Sequence, residues 1–186
     1  SIIITWGNIN NFRKNGSFDD MYFNQNSGKN KKFLWFVISL DNKIPKKLNK
    51  NIVIFLHNNL NFINFIPSIF NIIKRYSLSL LNSKKKASLY YLENISFELW
   101  KKIEPLFKNK KLKKVIMPYE AQPFQNYIFN KIRENYKKII SIGYVHSTQP
   151  FPSHLFKREG SPDKIYVHGN DQKYHCTKYL RWKKNQ

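Results

Sequence analysis

The chain has 186 residues, of which 41% are hydrophobic and 16% aromatic, and its formal net charge at pH 7 is +22. This apolar content excludes a disordered chain, and the length fits a single folded domain over residues 1–186. Cys176 is the only cysteine, which excludes a disulfide framework and a cysteine-based zinc site.

A large positive charge is typical of proteins that bind nucleic acid or an anionic membrane surface. Arginine, whose planar fork matches guanine and phosphate, supplies only five of the 33 basic residues. Lys, Asn and Ile are abundant whereas Ala is scarce, which is the pattern of an AT-rich genome. The composition therefore disfavours a nucleic-acid partner. The clusters Lys84–Lys86 and Lys108–Lys114 fit solvated faces, with an anionic membrane surface as their alternative use.

Short apolar runs predict the strands in chain order, and most of them are continuous rather than alternating, as in parallel strands covered on both faces. The predicted strands are Ile2–Thr5, Phe33–Leu40, Ile52–Leu56, Lys114–Met117, Ile139–Val145 and Lys164–Val167. Apolar stripes predict helices over Phe97–Phe107, which Pro105 should shorten or kink, and Phe124–Lys137.

These elements predict an α/β fold with a doubly wound, mostly parallel, Rossmann-like sheet. The uncharged stretch from Asn51 to Ile73 is long enough to span a bilayer. Its many Asn side chains would need partners in lipid, which favours a strand followed by a buried or interfacial helix. The sequence starts without Met and ends abruptly, so we expect a fragment of a longer protein.

Polar residues follow three of the predicted strands, and the carboxyl ends of parallel strands open on one edge of a sheet, where ligands bind. These residues are Glu120, Gln122, His146, Ser147, Thr148, Gln149, His168, Gly169 and Asn170. The sequence therefore predicts a binding cleft at this edge. The spacing of His146, His154 and His168 does not predict a metal site.

Structural roles compete with binding at several of these positions. Glu120 could cap the next helix, and His146 could be a strand-end histidine bonded to backbone. Gly169 is predicted to form a tight strand-to-helix turn, whose backbone N–H groups could hold an anion. Asp19 and Asp20 are predicted to lie in an exposed turn or helix start. The four Trp residues are predicted to pack in the core or at its edge.

Three sequence motifs, "PYEAQP", "IGYVHS" and "SPDKIYVHG", carry a resemblance to glycosyltransferase-like proteins of bacterial surface or capsular polysaccharide biosynthesis. The likeness covers the chain well from Met117 onward and more loosely from Thr5 to Asp41. The matching residues are Pro118, Tyr119, Glu120, Gln122, Pro123, Gly143, Tyr144, His146, Ser147, Pro162, Asp163, Ile165 and Gly169.

The resemblance implies the N-terminal, acceptor-side Rossmann-like half of a GT-B enzyme, without the C-terminal donor-binding domain. Such an enzyme, of the hexosyltransferase type, transfers a sugar from a nucleotide-activated donor to a hydroxyl of a glycan or lipid-linked acceptor. It implies no bound cofactor or metal. We expect a cytoplasmic location, with a peripheral position at the inner membrane face as an alternative.

The resemblance also implies roles for individual residues. His146 would be the catalytic base or an acceptor-binding group, and Glu120 would orient it or act as the base itself. The other substrate-binding residues would be Tyr119, Gln122, Tyr144, Ser147, Thr148, Arg158, His168, Gly169 and Asn170. Two competing interpretations are a non-catalytic α/β binding module and a basic nucleic-acid-binding protein.

Overall fold

The structure is a computed structural model that describes residues 1–56, 84–108, 112–146 and 153–185, with the backbone alone over 84–94. Its strands are β1 (Ile2–Gly7), β2 (Asp19–Asp20), β3 (Gln25–Asn26), β4 (Leu34–Ser39), β5 (Ile52–Leu56), β6 (Lys114–Pro118), β7 (Ile140–Tyr144) and β8 (Lys164–Tyr166). Its α-helices are α1 (Lys84–Phe107), α2 (Pro123–Asn135) and α3 (Asn170–Tyr179), and short 3₁₀ turns occur at Ile9–Asn11 and Ser153–Leu155.

The main sheet has six parallel strands in the order β5-β4-β1-β6-β7-β8. The chain starts in the middle at β1, builds outward through β4 and β5, and then returns to build the other half from β6. This order confirms the predicted α/β, Rossmann-like, doubly wound class. The direction of winding reverses between β1 and β6, and that reversal locates the site described below.

The two faces of the sheet are covered differently. One face packs with α1, α2 and α3 in a core that includes Phe36, Ile103 and Phe129. The opposite face of β1, β4 and β5 packs against the chain between β1 and β4, chiefly through the fully buried Phe18. A Cβ at Gly7 would lie 2.5 Å from the Phe18 ring, so this close approach requires glycine.

The predicted strands all exist, and none of their ends differs from the predicted one by more than two residues. Helix α1 begins earlier than predicted and contains Pro105 in its last turn, whereas α2 starts with Pro123. The β2–β3 hairpin was not predicted. The predicted exposed turn at Asp20 is wrong, because Asp20 lies in β2 and is only 4% exposed.

Trp35, Trp100 and Trp182 are buried, as predicted, whereas Trp6 is half-buried at the carboxyl edge of the sheet. Of the stretch from Asn51 to Ile73, only residues 51–56 lie within the described part of the chain, and they include β5. None of the helices over the described residues combines the length and the apolar character needed to cross a membrane.

Candidate functional site

A cavity of about 280 Å³ opens at the carboxyl edge of the sheet, where the winding reverses between β1 and β6. Ligands of doubly wound α/β proteins bind at this position, because the loops leaving the two halves of the sheet diverge there. The cavity is lined by Trp6, Tyr22, Leu40, Pro118, Glu120, Gln122, Phe124, Gln125 and His146. Three predicted site residues, Glu120, Gln122 and His146, are therefore brought together.

The main polar contact of the cavity joins Glu120 and His146. Nε2 of His146 lies 3.2 Å from Oε1 of Glu120, and their side chains are 22% and 43% exposed, respectively. An ionised carboxylate has no proton to donate, so a hydrogen bond between the two groups would require a proton on Nε2. The carboxylate thus contacts the imidazole across the cavity, and the N-cap of α2 is Gln122 rather than Glu120.

The loop that carries Glu120 is held by a buried side chain, Gln125, which is 1% exposed. Its Oε1 accepts hydrogen bonds of 3.0 Å from the backbone amides of both Glu120 and Gln122. Its Nε2 donates to the carbonyl of Pro118 at 2.8 Å. One side chain from the first turn of α2 therefore fixes three backbone groups of the loop, and with them the position of the Glu120 carboxylate.

Ala121, in the same loop, has a φ of 55°, which a residue with a Cβ adopts only under constraint. Its carbonyl accepts hydrogen bonds from Nδ2 of Asn126 at 3.0 Å and from Nη2 of Arg158 at 3.1 Å. Arg158, which was predicted to bind substrate, instead donates to this backbone carbonyl and does not line the cavity.

Tyr119 also lies outside the cavity, although it was predicted to bind substrate. Its side chain is 1% exposed and packs in the core against Phe129. Its hydroxyl donates to Oδ1 of Asn126 at 3.0 Å. Burial raises the pKa of the Tyr119 phenol. Tyr119 therefore packs against the loop on its core side and is not placed to touch a ligand in the cavity.

The imidazole of His146 packs edge-on against Tyr22, with ring centroids 4.8 Å apart and an interplanar angle of 88°. Nδ1 of His146 is buried and has no hydrogen-bond partner among the described residues. The cavity-facing polar group of the pair is therefore the Glu120 carboxylate, which is the more exposed of the two side chains.

Three aromatic rings form a wall of the cavity. The Trp6 ring meets both Tyr22 and Phe124 edge-on, each at a centroid distance of 5.7 Å. Burial and the negative charges of Glu120 and Asp20 raise the pKa of the Tyr22 phenol. The Tyr22 side chain therefore shares the cavity with the Glu120 carboxylate.

The remaining predicted residues form a separate, exposed group at the β8 end of the edge. Tyr144 packs against Phe23 at 5.0 Å, and its hydroxyl lies 3.3 Å from Nε2 of His168. His168, Gly169 and Asn170 are exposed and do not line the cavity. Ser147 and Thr148 lie outside the described residues.

Gly169 lies in the turn from β8 to α3, as predicted, but this turn does not require a glycine. Its φ of 173° is extended backbone that any residue adopts. A Cβ built there would meet no atom within 4 Å. The glycine that the local packing does require is Gly143 in β7, where a Cβ would lie 2.8 Å from Cβ of Tyr119.

Comparison of the chain with family models, curated proteins and solved structures finds no match. Within the described residues, no group of three or more His, Cys, Asp or Glu side chains could hold a metal ion. The chemistry of the site therefore has to be inferred from its own side chains, namely a carboxylate–imidazole pair beside an aromatic wall.

Three functional positions were missed from the sequence: Trp6, Tyr22 and Gln125. Trp6 and Tyr22 reach the cavity only through the fold, and no local pattern marks them. Gln125 had a usable signal, because a Gln three residues after a helix N-cap matches the spacing of a capping box.

Proposed function

We propose that the protein is a glycosyltransferase-like enzyme of surface polysaccharide biosynthesis, and that this cavity binds the hydroxyl acceptor. The observation that carries the proposal is the contact of Glu120 with His146 in a cavity at the winding reversal of the sheet. A paired carboxylate in such a place has the position and partner that a general base requires.

The geometry favours Glu120 as the base and His146 as the group that orients it. Glu120 is the more exposed of the two, whereas Nδ1 of His146 is buried and Nε2 is engaged by the carboxylate. The imidazole N–H would hold one carboxylate oxygen and leave the other directed to the acceptor.

In the proposed reaction Glu120 takes the proton of an acceptor hydroxyl as its oxygen attacks the anomeric carbon of the donor sugar. A bond forms between that oxygen and carbon, and the bond from the carbon to the nucleotide phosphate breaks. The departing phosphate keeps the electron pair. Base catalysis of this kind contributes about 10²–10⁴-fold to a rate.

The lining of the cavity supports a sugar as the acceptor. Rings of Trp6, Tyr22 and Phe124 offer apolar surface for the C–H faces of a pyranose, and Glu120 and Gln122 offer hydrogen bonds to its hydroxyls. Pockets that combine aromatic walls with a few polar groups fix both the position and the orientation of a ligand.

The test is sugar transfer by the complete protein, measured with a panel of UDP-, GDP- and CMP-sugars and mixed oligosaccharide acceptors. Glu120→Gln preserves the shape of the side chain beside His146 but cannot take a proton, so kcat should fall about 10²–10⁴-fold with little change in KM. His146→Phe should lower kcat less, because the base remains.

Matched controls come from Glu134 and His175. Glu134 forms an exposed ion pair with Lys131 on α2, and His175 lies exposed on α3. Glu134→Gln and His175→Phe should retain the wild-type rate. Full activity in Glu120→Gln would overturn the proposed role of Glu120. Saccharide binding by a wild-type protein that transfers none of the donor sugars would favour the non-catalytic binding module instead.

A further inference from the structure

The cavity is covered by a hairpin that arises far away in the sequence. The cover hairpin comprises residues 19–26, with β2 and β3 paired antiparallel and Asn24 at a φ of 49° in the turn. It lies across the carboxyl ends of the strands. Tyr22, in its turn, contacts Trp6 of β1 and His146 after β7, and the adjacent Phe23 contacts Tyr144 of β7.

The cover hairpin is attached to the sheet through Asp20, which is buried and has no cationic partner among the residues that the structure describes. The hydroxyl of Thr5 in β1, itself fully buried, donates to Oδ2 of Asp20. The backbone amide of Phe23 donates to Oδ1 at 2.6 Å. One carboxylate thus joins the middle of the sheet to the turn that carries Tyr22.

A buried carboxylate is costly unless hydrogen bonds replace its water, so its presence requires a specific arrangement of donors. Thr5 and the turn amides supply those donors only when the turn lies close to β1. Desolvation raises the pKa of Asp20, although these hydrogen bonds act to lower it. The contact therefore restricts the turn to one placement, and that placement sets Tyr22 against the imidazole.

We propose that Asp20 is a positioning residue for His146: it anchors the cover hairpin to Thr5, and the hairpin holds the Tyr22 ring edge-on against the imidazole. The ring blocks one side of the imidazole and fixes Nε2 toward Glu120. The placement of His146 stands on these contacts alone. Its consequence for sugar transfer rests on the proposed function of the Glu120–His146 pair.

The test measures how fast diethylpyrocarbonate modifies each histidine at neutral pH, quantified residue by residue by mass spectrometry. His175, exposed on α3, is the internal reference in the same sample. Asp20→Ala should raise the rate at His146 relative to His175 about fivefold or more, since a lost hydrogen bond shifts an opening equilibrium by that factor. Asp20→Asn keeps hydrogen-bonding atoms at both carboxylate positions and should restore a rate near wild type.

Variants of Tyr22 and Asp19 test the same contact independently, in case Asp20→Ala folds poorly. Tyr22 is only half-buried, so Tyr22→Ala removes the ring without opening the core, and it should raise the His146 rate as Asp20→Ala does. Tyr22→Phe keeps the ring and should leave the rate unchanged. Asp19→Ala is the matched carboxylate control, because Asp19 bonds Arg13 and Asn26 rather than Thr5 of the sheet, and it should change the rate far less than Asp20→Ala.

Unchanged His146 reactivity in both Asp20→Ala and Tyr22→Ala would overturn the proposal, as would an equal increase in Asp19→Ala. The transfer assay separates this result from the proposed function. If Asp20→Ala exposes His146 and lowers kcat, both proposals are supported. If it exposes His146 and the transfer rate of an active protein is unchanged, Asp20 still positions His146, and the role of His146 in transfer is wrong.

Discussion

The turn after β6 and the turn after β8 leave the same edge of one sheet, and both carry residues that the sequence marked as binding groups. The first holds Glu120 through the hydrogen bonds of the buried Gln125, with an alanine constrained at positive φ. The second holds His168 and Gly169 in the open, with space around Gly169. The residues after a strand therefore form a binding site when buried polar side chains determine the path of their loop.

The largest expected effect is a difference in stability between alanine substitutions at two glycines, Gly143 in β7 and Gly169 after β8. A Cβ at Gly143 would lie 2.8–2.9 Å from atoms of Tyr119 and Pro162, which are fixed by the core. Gly143→Ala should therefore lower the free energy of unfolding by about 3 kcal/mol. Gly169→Ala meets no neighbour and affects only the N-cap of α3, so it should change that free energy by less than about 1 kcal/mol. Urea denaturation of both variants measures the difference, and equal losses would refute it.

A smaller difference in stability is expected between substitutions of two glutamines, Gln125 and Gln172, whose side chains bond the backbone of the turns after β6 and β8. Gln125→Leu leaves two backbone amides and one carbonyl without their partner and should cost about 2–3 kcal/mol in the free energy of unfolding. Gln172 accepts a bond from the amide of His168, which is exposed to water, so Gln172→Leu should cost less than about 1 kcal/mol. Thermal and urea unfolding report both. If Gln172→Leu lowered the free energy of unfolding more than Gln125→Leu, the turn after β8 would be held more strongly than the turn after β6.

The smallest expected effect is a change in the free energy of unfolding with pH. It arises from two carboxylates of the cover hairpin, which lies over the cavity that contains Glu120. Burial raises the pKa of Asp20, so the folded state binds its proton more tightly than the unfolded state. The contribution of Asp20 to stability is then greatest below its unfolded pKa and falls as pH rises through the folded pKa. The bond from Arg13 lowers the pKa of Asp19, whose contribution is present above its unfolded pKa and is lost as pH falls through the folded pKa.

The stability of Asp20→Asn relative to wild type should therefore rise as the pH increases above about 4, and that of Asp19→Asn should fall as the pH increases toward about 4. Urea titrations at a series of pH values give both slopes. Slopes of the same sign would show that Asp20 is not desolvated, and the anchoring of the hairpin would then need another explanation.

The sequence was sufficient for the sheet because each main strand is a continuous apolar run, and burial on both faces leaves that pattern in the residues. It also indicated that Glu120 and His146 share an edge, since parallel strands end together. The contact between them depends on Gln125 and Ala121, whose roles follow from the path of the loop. Asp20 could not be predicted as buried because its partner Thr5 lies 15 residues away in the sequence and the DD pair is typical of exposed turns.

His146 and His168 show why the sequence alone assigned the turn after β8 to the same cleft as Glu120. His168 follows a strand just as His146 does, and nothing in the local sequence distinguishes them. The difference arises from tertiary structure, because the cover hairpin places the Tyr22 ring against His146 and not against His168. Strand-end position is a local property, whereas enclosure of a side chain depends on segments far apart in the chain.

The aromatic wall also gives the cavity an optical reporter. Of the four tryptophans, Trp35, Trp100 and Trp182 are at most 5% exposed and lie in the core, whereas Trp6 lines the cavity. A molecule that enters would displace water from the Trp6 indole and leave the surroundings of the other three unchanged. With Trp6→Phe as the blank, the emission spectrum of the protein can therefore be used to screen saccharides and nucleotides before any substrate is known.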